Sequence, residues 1–183
     1  LLMQLEGTQV SVGAIYVDPN IDIKGESTYK PIPSVPSTHS THPAESEDFA
    51  HDAVIPNFYL SHKYNEKFAL GFALGTNYGM ETNLGDDFNA SHFGNEASVL
   101  TKEINVNMAY KINQQFSVGG GVRYVIGEGS FGATMPTNNV LTAPQGTTLK
   151  YMEGTDEAWG WQLGTAWQMH DANRIGFSYK AEV

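Results

Sequence analysis

A Ser- and Thr-rich segment in the first third of the chain carries side chains that could bind a metal ion. Its imidazole and carboxylate groups belong to His39, His42, Glu45, Glu47, Asp48 and His51. Such groups ligate metals only where rigid elements hold them together. The surrounding Pro-, Ser- and Thr-rich sequence is typical of a solvated loop, so we expect no metal site here.

Other patterns that could carry chemistry are weaker. Asp86 and Asp87 follow Gly85, but the ordered oxygen spacing of a calcium loop is missing. Gly119–Gly121 lies inside a strand pattern with no helix after it, which argues against a phosphate-binding loop. The chain has no cysteine, so disulfides, thiolate sites and cysteine nucleophiles are excluded. No Ser/His/Asp or paired-carboxylate arrangement stands out, and we predict a protein that is not an enzyme and has no cofactor.

The segment Thr76-Asn77-Tyr78-Gly79 differs from these candidates, because it interrupts the regular alternation of side chains in a predicted strand. The residues before it alternate between large apolar and small side chains, and the small ones are Ala69, Gly71, Ala73 and Gly75. Asn and Gly tolerate positive φ and β-bulges. One interpretation is a plain strand end; the other is a break in a barrel wall, with Ala73 and Gly75 leaving a passage toward it.

Elsewhere, apolar residues alternate with small or polar ones at period two, and no segment has a sustained helical period. This pattern predicts seven strands, over residues 8–17, 53–62, 67–78, 101–111, 115–127, 158–169 and 174–183. Short turns near Tyr64, Ile112 and Asp171 alternate with long segments over residues 18–52, 80–98 and 127–157. Outer-membrane barrels have this alternation, with their long loops outside the cell. We therefore predict an all-β fold, an antiparallel up-and-down transmembrane β-barrel.

The two faces of the predicted strands favour a membrane. One face is large and apolar, with Tyr and Trp toward the strand ends, as in aromatic girdles. The other is mainly Gly, Ala, Ser, Asn and Gln, and its polar residues include Glu103, Asn105, Asn107 and Arg123. A soluble barrel would need a charged outer face, whereas only 16% of this chain is charged. We predict that the apolar face meets lipid and the polar face lines the lumen.

The net charge and the length of the chain further limit the classes of protein to which it can belong. The chain has 183 residues and a formal net charge of −10, which argues against nucleic-acid binding because such proteins are basic. Its longest apolar stretches are far shorter than the roughly 18 residues of a transmembrane helix. Seven strands do not close a bacterial barrel, and an open sheet edge cannot remain in hydrocarbon. We expect more strands in the complete protein.

Several segments resemble the FadL/TodX family, outer-membrane transporters of long-chain fatty acids and hydrocarbons. The similar segments are residues 12–25, 55–58, 72–80, 105–113, 116–122, 159–164 and 173–183, in the order of the family's first seven strands. The resemblance implies a fourteen-stranded barrel, of which seven strands are present. It implies an N-terminal hatch, and we expect that hatch and a signal peptide to lie outside this sequence. It also implies a kinked third strand that opens the wall sideways.

We therefore predict passive transport of hydrophobic small molecules across the outer membrane of a Gram-negative bacterium. Apolar residues of the third long segment are expected to capture the ligand, and they are Phe131, Met135, Val140, Leu141, Tyr151 and Met152. The ligand would then leave through the kinked strand. Outer-membrane lipid and lipopolysaccharide are the expected surroundings, and a monomeric barrel is the expected assembly. The alternatives are a general polar-solute porin and a soluble lipid-binding barrel.

Overall fold

Antiparallel strands make up most of the chain. The computed structural model describes residues 2–30, 33–136, 143–170 and 173–183. Within these ranges the strands are β1 (Thr8–Val17), β2 (Ile23–Tyr29), β3 (Ser40–Ser46), β4 (Ala53–Lys63), β5 (Phe68–Gly75), β6 (Gly79–Asn83), β7 (Glu96–Lys111), β8 (Phe116–Thr134), β9 (Thr148–His170) and β10 (Asn173–Lys180). Short 3-10 turns cover Leu2–Gln4 and Pro36–Thr38. No helix in the described ranges has the length and apolar character needed to cross a bilayer.

The strands form one large sheet and one separate hairpin. The large sheet has the order β1-β4-β5-β7-β8-β9-β10, and β6 continues along β7 beyond β5. Its strands all pair antiparallel, so the sheet is an up-and-down meander that forms part of a barrel wall. The hairpin consists of β2 and β3. The predicted fold class, an all-β antiparallel barrel, is confirmed.

The outer face of the sheet is a band of exposed large apolar side chains. Its members include Val10, Val12, Val106, Met108, Val122, Trp161, Leu163, Ile175 and Phe177, each half or more exposed. Contiguous apolar surface on this scale marks contact with a membrane or a partner. The opposite face is concave and surrounds a cavity of about 980 Å³.

Aromatic pairs border the apolar band at both ends. Phe116 stacks on Trp167 with ring centroids 5.6 Å apart, near the short turns. Tyr124 packs on Trp159 at 4.8 Å, toward the long segments. At about 3.3 Å per residue, Trp159 and Trp167 lie roughly 26 Å apart along β9. With a strand tilt of roughly 35–45°, this separation corresponds to about 20 Å of height, slightly less than the apolar band of about 25 Å in outer-membrane barrels.

β7, β8 and β9 continue well beyond the outer aromatic pair. β7 begins at Glu96, β8 ends at Thr134 and β9 begins at Thr148, so the predicted strands are too short there. Parts of the predicted long segments 80–98 and 127–157 are strand instead. Apolar alternation is lost because the outer face above the band is polar. It carries, for example, the ion pair of Lys102 and Glu128 at 2.7 Å, whereas the backbone ladder continues regardless of side-chain type.

Three further boundaries differ from the prediction. The long segment 18–52 contains the β2–β3 hairpin. The last strand ends at Lys180 rather than at residue 183. The third predicted strand, 67–78, is replaced by β5 and β6 with a break between them. Of the predicted short turns, the one at Asp171 lies outside the described residues.

Candidate functional site

The break between β5 and β6 is a bulge of one residue. β5 pairs with β7 up to Gly75, which lies opposite Glu103. β6 resumes the pairing with Gly79 opposite Leu100. Thr76–Tyr78 therefore spans three residues where β7 has two. One extra residue is a β-bulge, and it moves the side chains that follow to the other face of the sheet.

Thr101 of β7 satisfies the backbone of the bulge. The N–H of Tyr78 donates to Oγ1 of Thr101 at 2.9 Å, and the N–H of Thr101 donates to the Tyr78 carbonyl at 2.8 Å. The threonine hydroxyl donates to the same carbonyl at 3.1 Å. Unsatisfied backbone groups are costly in lipid, so Thr101 makes the break tolerable. The sequence predicts no role for Thr101, because its contact depends on the pairing register.

β4 is only partly paired with the interrupted strand. The ladder between β4 and β5 runs from Phe58, opposite Leu74, to Lys63. Residues 53–57 of β4 pair with β1, and among the described residues they have no ladder partner on the other side. Pro56 fits such a local edge because it has no N–H to donate. The wall is therefore open above Phe58.

The opening is closed again at the end of the sheet that carries the β2–β3 hairpin. An isolated bridge joins Ala50 to Thr82, and the N–H of Asn83 donates to the carbonyl of Phe49 at 2.8 Å. Residues 51–57 and 75–81 thus border a window between β4 and β5–β6. We refer to this gap as the wall opening.

The wall opening lies at the outer part of the apolar band. On its β4 side, Val54 faces outward and is 65% exposed. Val54 pairs with Tyr16 of β1, and the Tyr16 hydroxyl donates to Asp52 at 2.8 Å. A Tyr with a carboxylate partner marks the polar boundary of the membrane, and the opening begins just beneath it.

The predicted lumen residues lie together behind the wall opening. Glu103 accepts hydrogen bonds from Nη2 of Arg123 and from Nδ2 of Asn105, each at 2.8 Å. Asn105 accepts one from Asn107 at 2.5 Å. Asn77 of the bulge also donates to Glu103. Glu103, Asn105 and Arg123 are each 7% exposed, so charge and amide groups form one buried network.

Small residues leave space on the lumen side of the opening. Ala73 and Gly75 lie on the lumen face of β5, and a Cβ at Gly75 would meet no atom within 4 Å. Four residues before Gly75 the space is filled, because a Cβ at Gly71 would lie 2.7 Å from Leu2. The turn Leu2–Gln4 therefore packs on the lumen face below the opening, whereas β5 beside the opening has only small residues on this face.

Comparison with known proteins identifies the family of the chain. The family described as outer membrane protein transport protein (OMPP1/FadL/TodX) matches residues 1–183. The chain belongs to this family. The predicted resemblance and the predicted location in the outer membrane of a Gram-negative bacterium are thereby confirmed. The family is one of transport proteins rather than enzymes.

Relatives of the FadL/TodX family align with the whole chain. The chain is 25% identical over 202 residues to the long-chain fatty acid transport protein of Escherichia coli O6:H1. It is 28% identical over 211 residues to outer membrane protein P1 of Haemophilus influenzae, and 29% over 192 residues to the 47 kDa outer membrane protein of Pasteurella multocida. These alignments cover 43%, 46% and 42% of the respective relatives. The chain thus spans less than half of their length.

A solved structure of this family shares the fold. The crystal structure of a Pseudomonas aeruginosa FadL homologue superposes with a TM-score of 0.74 at 17% identity. The superposition covers 98% of this chain and 45% of that protein. The chain therefore has the fold of about half of a FadL-type barrel.

Two of the predicted capture residues face the lumen above the membrane. Phe131 of β8 lies opposite Met152 of β9, on the face that carries Arg123. The loop before β7 passes over this pair, because a Cβ at Gly94 would lie 2.9 Å from the Phe131 ring. In the same loop, burial lowers the pKa of His92, which favours its neutral imidazole. Aromatic and apolar side chains therefore line this part of the lumen face.

Two of the other predicted capture residues, Tyr151 and Met135, lie apart from this pair. Tyr151 is on the opposite face of β9, where its hydroxyl donates to Glu153 at 3.2 Å. Met135 is only 5% exposed and follows the end of β8. Val140 and Leu141 lie outside the described residues. The continuation of β8 and β9 as strands explains the difference, because alternate residues of a strand face opposite ways.

The histidines and acidic pairs are spread over the end of the sheet that carries the long segments. His42 lies in β3, and Nδ1 of His51 lies 3.4 Å from Glu81, across the closed end of the wall opening. Asp87 accepts a hydrogen bond from Gln145. Over the described ranges, no three His, Asp or Glu side chains come together as a possible metal site.

Proposed function

We propose that this chain carries the lateral exit of an outer-membrane transporter for hydrophobic small molecules, such as long-chain fatty acids or hydrocarbons. The wall opening between residues 51–57 and 75–81 carries the proposal, because the ladder between the lumen face and the apolar band is interrupted there. The name of the Escherichia coli relative, a long-chain fatty acid transport protein, supports the substrate class. A monomeric barrel surrounded by lipid and lipopolysaccharide stays the predicted setting.

The arrangement suits an apolar ligand that moves by diffusion. A ligand captured near Phe131 and Met152 would pass the small residues Ala73 and Gly75. The turn Leu2–Gln4 packs against Gly71 on the lumen face of β5, so along this part of the wall a ligand would turn sideways toward the wall opening. Leaving water for hydrocarbon is favourable by about 0.8 kcal/mol per CH₂ group. The exit therefore needs no energy source and no reacting group.

The lumen charges favour this route over a polar-solute pore. A porin needs charge that is available to ions and solutes in the pore. Here Glu103 and Arg123 bind each other and are almost fully buried. Their charges neutralise one another, and the remaining network consists of amides. Lys180 of β10 lies opposite Gln162 on the same face, so at this level the neutral pair and the amides have one cation beside them rather than the ring of charges of a selective pore.

Filling the passage tests the proposal. We expect Gly75→Phe and Ala73→Trp to slow uptake of a radiolabelled long-chain fatty acid at least about tenfold, since a barrier only about 1.4 kcal/mol higher does so. The matched control is Gly154→Phe, a lumen-facing glycine of β9 that also has no atom within 4 Å of its would-be Cβ. Heat-resistant gel migration reports assembly of the full-length barrel.

Two outcomes of this experiment would count against lateral exit. Assembled Gly75→Phe protein that transports at the normal rate would favour a straight path through the lumen. Equal losses in Gly75→Phe and Gly154→Phe would indicate general filling of the lumen rather than a block at the wall opening.

A further inference from the structure

A buried ion pair lies directly behind the bulge that forms one edge of the wall opening. Nδ2 of Asn77 donates to Oε2 of Glu103, and the same oxygen accepts a hydrogen bond from Nη2 of Arg123 at 2.8 Å. Nη1 of Arg123 donates to the carbonyl of Ala181 at 3.0 Å. The bulge is thus connected, through two charged side chains, to the chain segment that follows β10.

We propose that Glu103 and Arg123 are positioning residues of the exit, because their ion pair holds Asn77 toward the lumen and keeps the bulge in its open conformation. This inference rests on the proposed function, since it names what sets the geometry of the exit. Neither residue needs to touch the ligand.

The physical reason is the cost of a polar side chain in hydrocarbon. The bulge adds one residue, whose side chain can point to lipid or to the lumen. An amide without a partner in an apolar medium is strongly unfavourable, whereas a bond from Asn77 to a carboxylate is charge-assisted and strong. Glu103 therefore selects the inward orientation of Asn77.

Arg123 is required because Glu103 is almost fully buried. A buried carboxylate without a cation is destabilising, and Arg123 supplies the cation and fixes the Glu103 rotamer. Lys102, the residue before Glu103 in β7, does not compete, since its side chain lies on the opposite, outer face of the strand. The arrangement thus depends on one lumen pair.

Isosteric exchanges of amide and carboxylate test the proposal without changing side-chain volume. Asn77→Asp places two carboxylates in contact, and Glu103→Gln leaves Arg123 without its anion. We expect each single variant of the full-length protein to lose about tenfold in fatty-acid uptake, as for a lost charge-assisted bond. The double variant Asn77→Asp/Glu103→Gln moves the carboxylate from position 103 to position 77. It keeps one hydrogen bond and one negative charge near Arg123, so uptake should recover.

A second measurement follows the bulge itself. Hydrogen exchange of the Tyr78 and Thr101 amides reports the two backbone bonds that close the bulge. We expect faster exchange in both single variants and restored protection in the double variant. The controls are Glu128→Gln, which breaks an outer-face ion pair beside the bulge, and Asn113→Asp, in a short turn. Both should leave exchange and uptake unchanged.

The outcomes separate this inference from the proposed function. Unchanged exchange at Tyr78 and Thr101 in the single variants would overturn the positioning role, whatever the uptake. Faster exchange with normal uptake would also overturn it, and the proposed exit would stand if Gly75→Phe still blocked transport. If Gly75→Phe transported normally as well, both the exit and its positioning pair would fail. Faster exchange and slower uptake in the single variants, with recovery in the double variant, would support it.

Discussion

At the scale of single residues, the wall opening depends on groups that satisfy a broken ladder inside a membrane. A strand that stops pairing exposes N–H and C=O groups, and hydrocarbon offers them no partner. Thr101 provides one hydroxyl that serves both backbone groups of Tyr78. Pro56, on the other edge, lacks an N–H altogether. The opening is thus built from residues that reduce the number of unsatisfied groups.

Replacement of Thr101 tests this role. We expect Thr101→Val to lower the free energy of unfolding by about 1–3 kcal/mol, because the Tyr78 N–H loses its acceptor. Thr101→Ser keeps the hydroxyl and should stay close to the native value. The measurement is urea unfolding of the full-length protein in lipid vesicles. Equal stability of the Val and Ser variants would show that the hydroxyl is not needed at the bulge.

Residue chemistry was partly predictable from the sequence. Glu103, Asn105, Asn107 and Arg123 are predicted on the lumen face from alternation alone, and the structure places them there. Their mutual contacts could not be predicted, because a bond between β7 and β8 depends on which residues lie opposite each other. Asn105 lies opposite Arg123 only in the observed register. The role of Thr101 could not be predicted from the sequence for the same reason.

At the scale of secondary structure, the alternation of apolar and polar residues predicts a strand only where the two faces of that strand meet different surroundings. In the apolar band one face meets lipid, and all seven predicted strands have counterparts in the structure. Beyond the outer aromatic pair both faces of β8 and β9 are mixed, so the sequence resembles a loop although the ladder continues to Thr134 and from Thr148. The bulge is the converse case. Asn77 and Gly79 are residue types that tolerate a β-bulge, so the sequence itself indicates the break.

The extended strands give a prediction about ligand capture. Met152 and Tyr151 are neighbours with similar exposure, 48% and 54%, but Met152 faces the lumen and Tyr151 the outside. We expect Met152→Ser to weaken fatty-acid uptake several-fold, because a flexible apolar side chain adapts to an apolar ligand. Tyr151→Ser is the matched control and should have little effect. Uptake at low ligand concentration is the measurement, and equal effects would remove Met152 from the capture surface.

At the scale of the whole molecule, the sheet is a wall with two edges. β1 and β10 each pair on one side within the described residues. An unpaired edge is unstable in hydrocarbon, so both edges need further strands. The relatives and the solved homologue are more than twice as long as the aligned part, which agrees with this requirement. The cavity along the concave face is therefore one side of a lumen.

The orientation of this wall in the membrane is the last prediction. The polar ends of β7–β9 and the β2–β3 hairpin lie at one end, and the short turns lie at the other. An outer-membrane barrel has its long segments outside the cell, so Glu47 should face the medium and Tyr64 the periplasm.

Both side chains are exposed, and the sequence has no cysteine, so Glu47→Cys and Tyr64→Cys each give one site in this region. With a membrane-impermeant maleimide on intact cells, we expect labelling at position 47 and none at position 64. Position 64 should react once the outer membrane is permeabilised. The reverse labelling pattern would show that the barrel has the opposite orientation. A ligand entering past Phe131 and Met152 would then start from the periplasm.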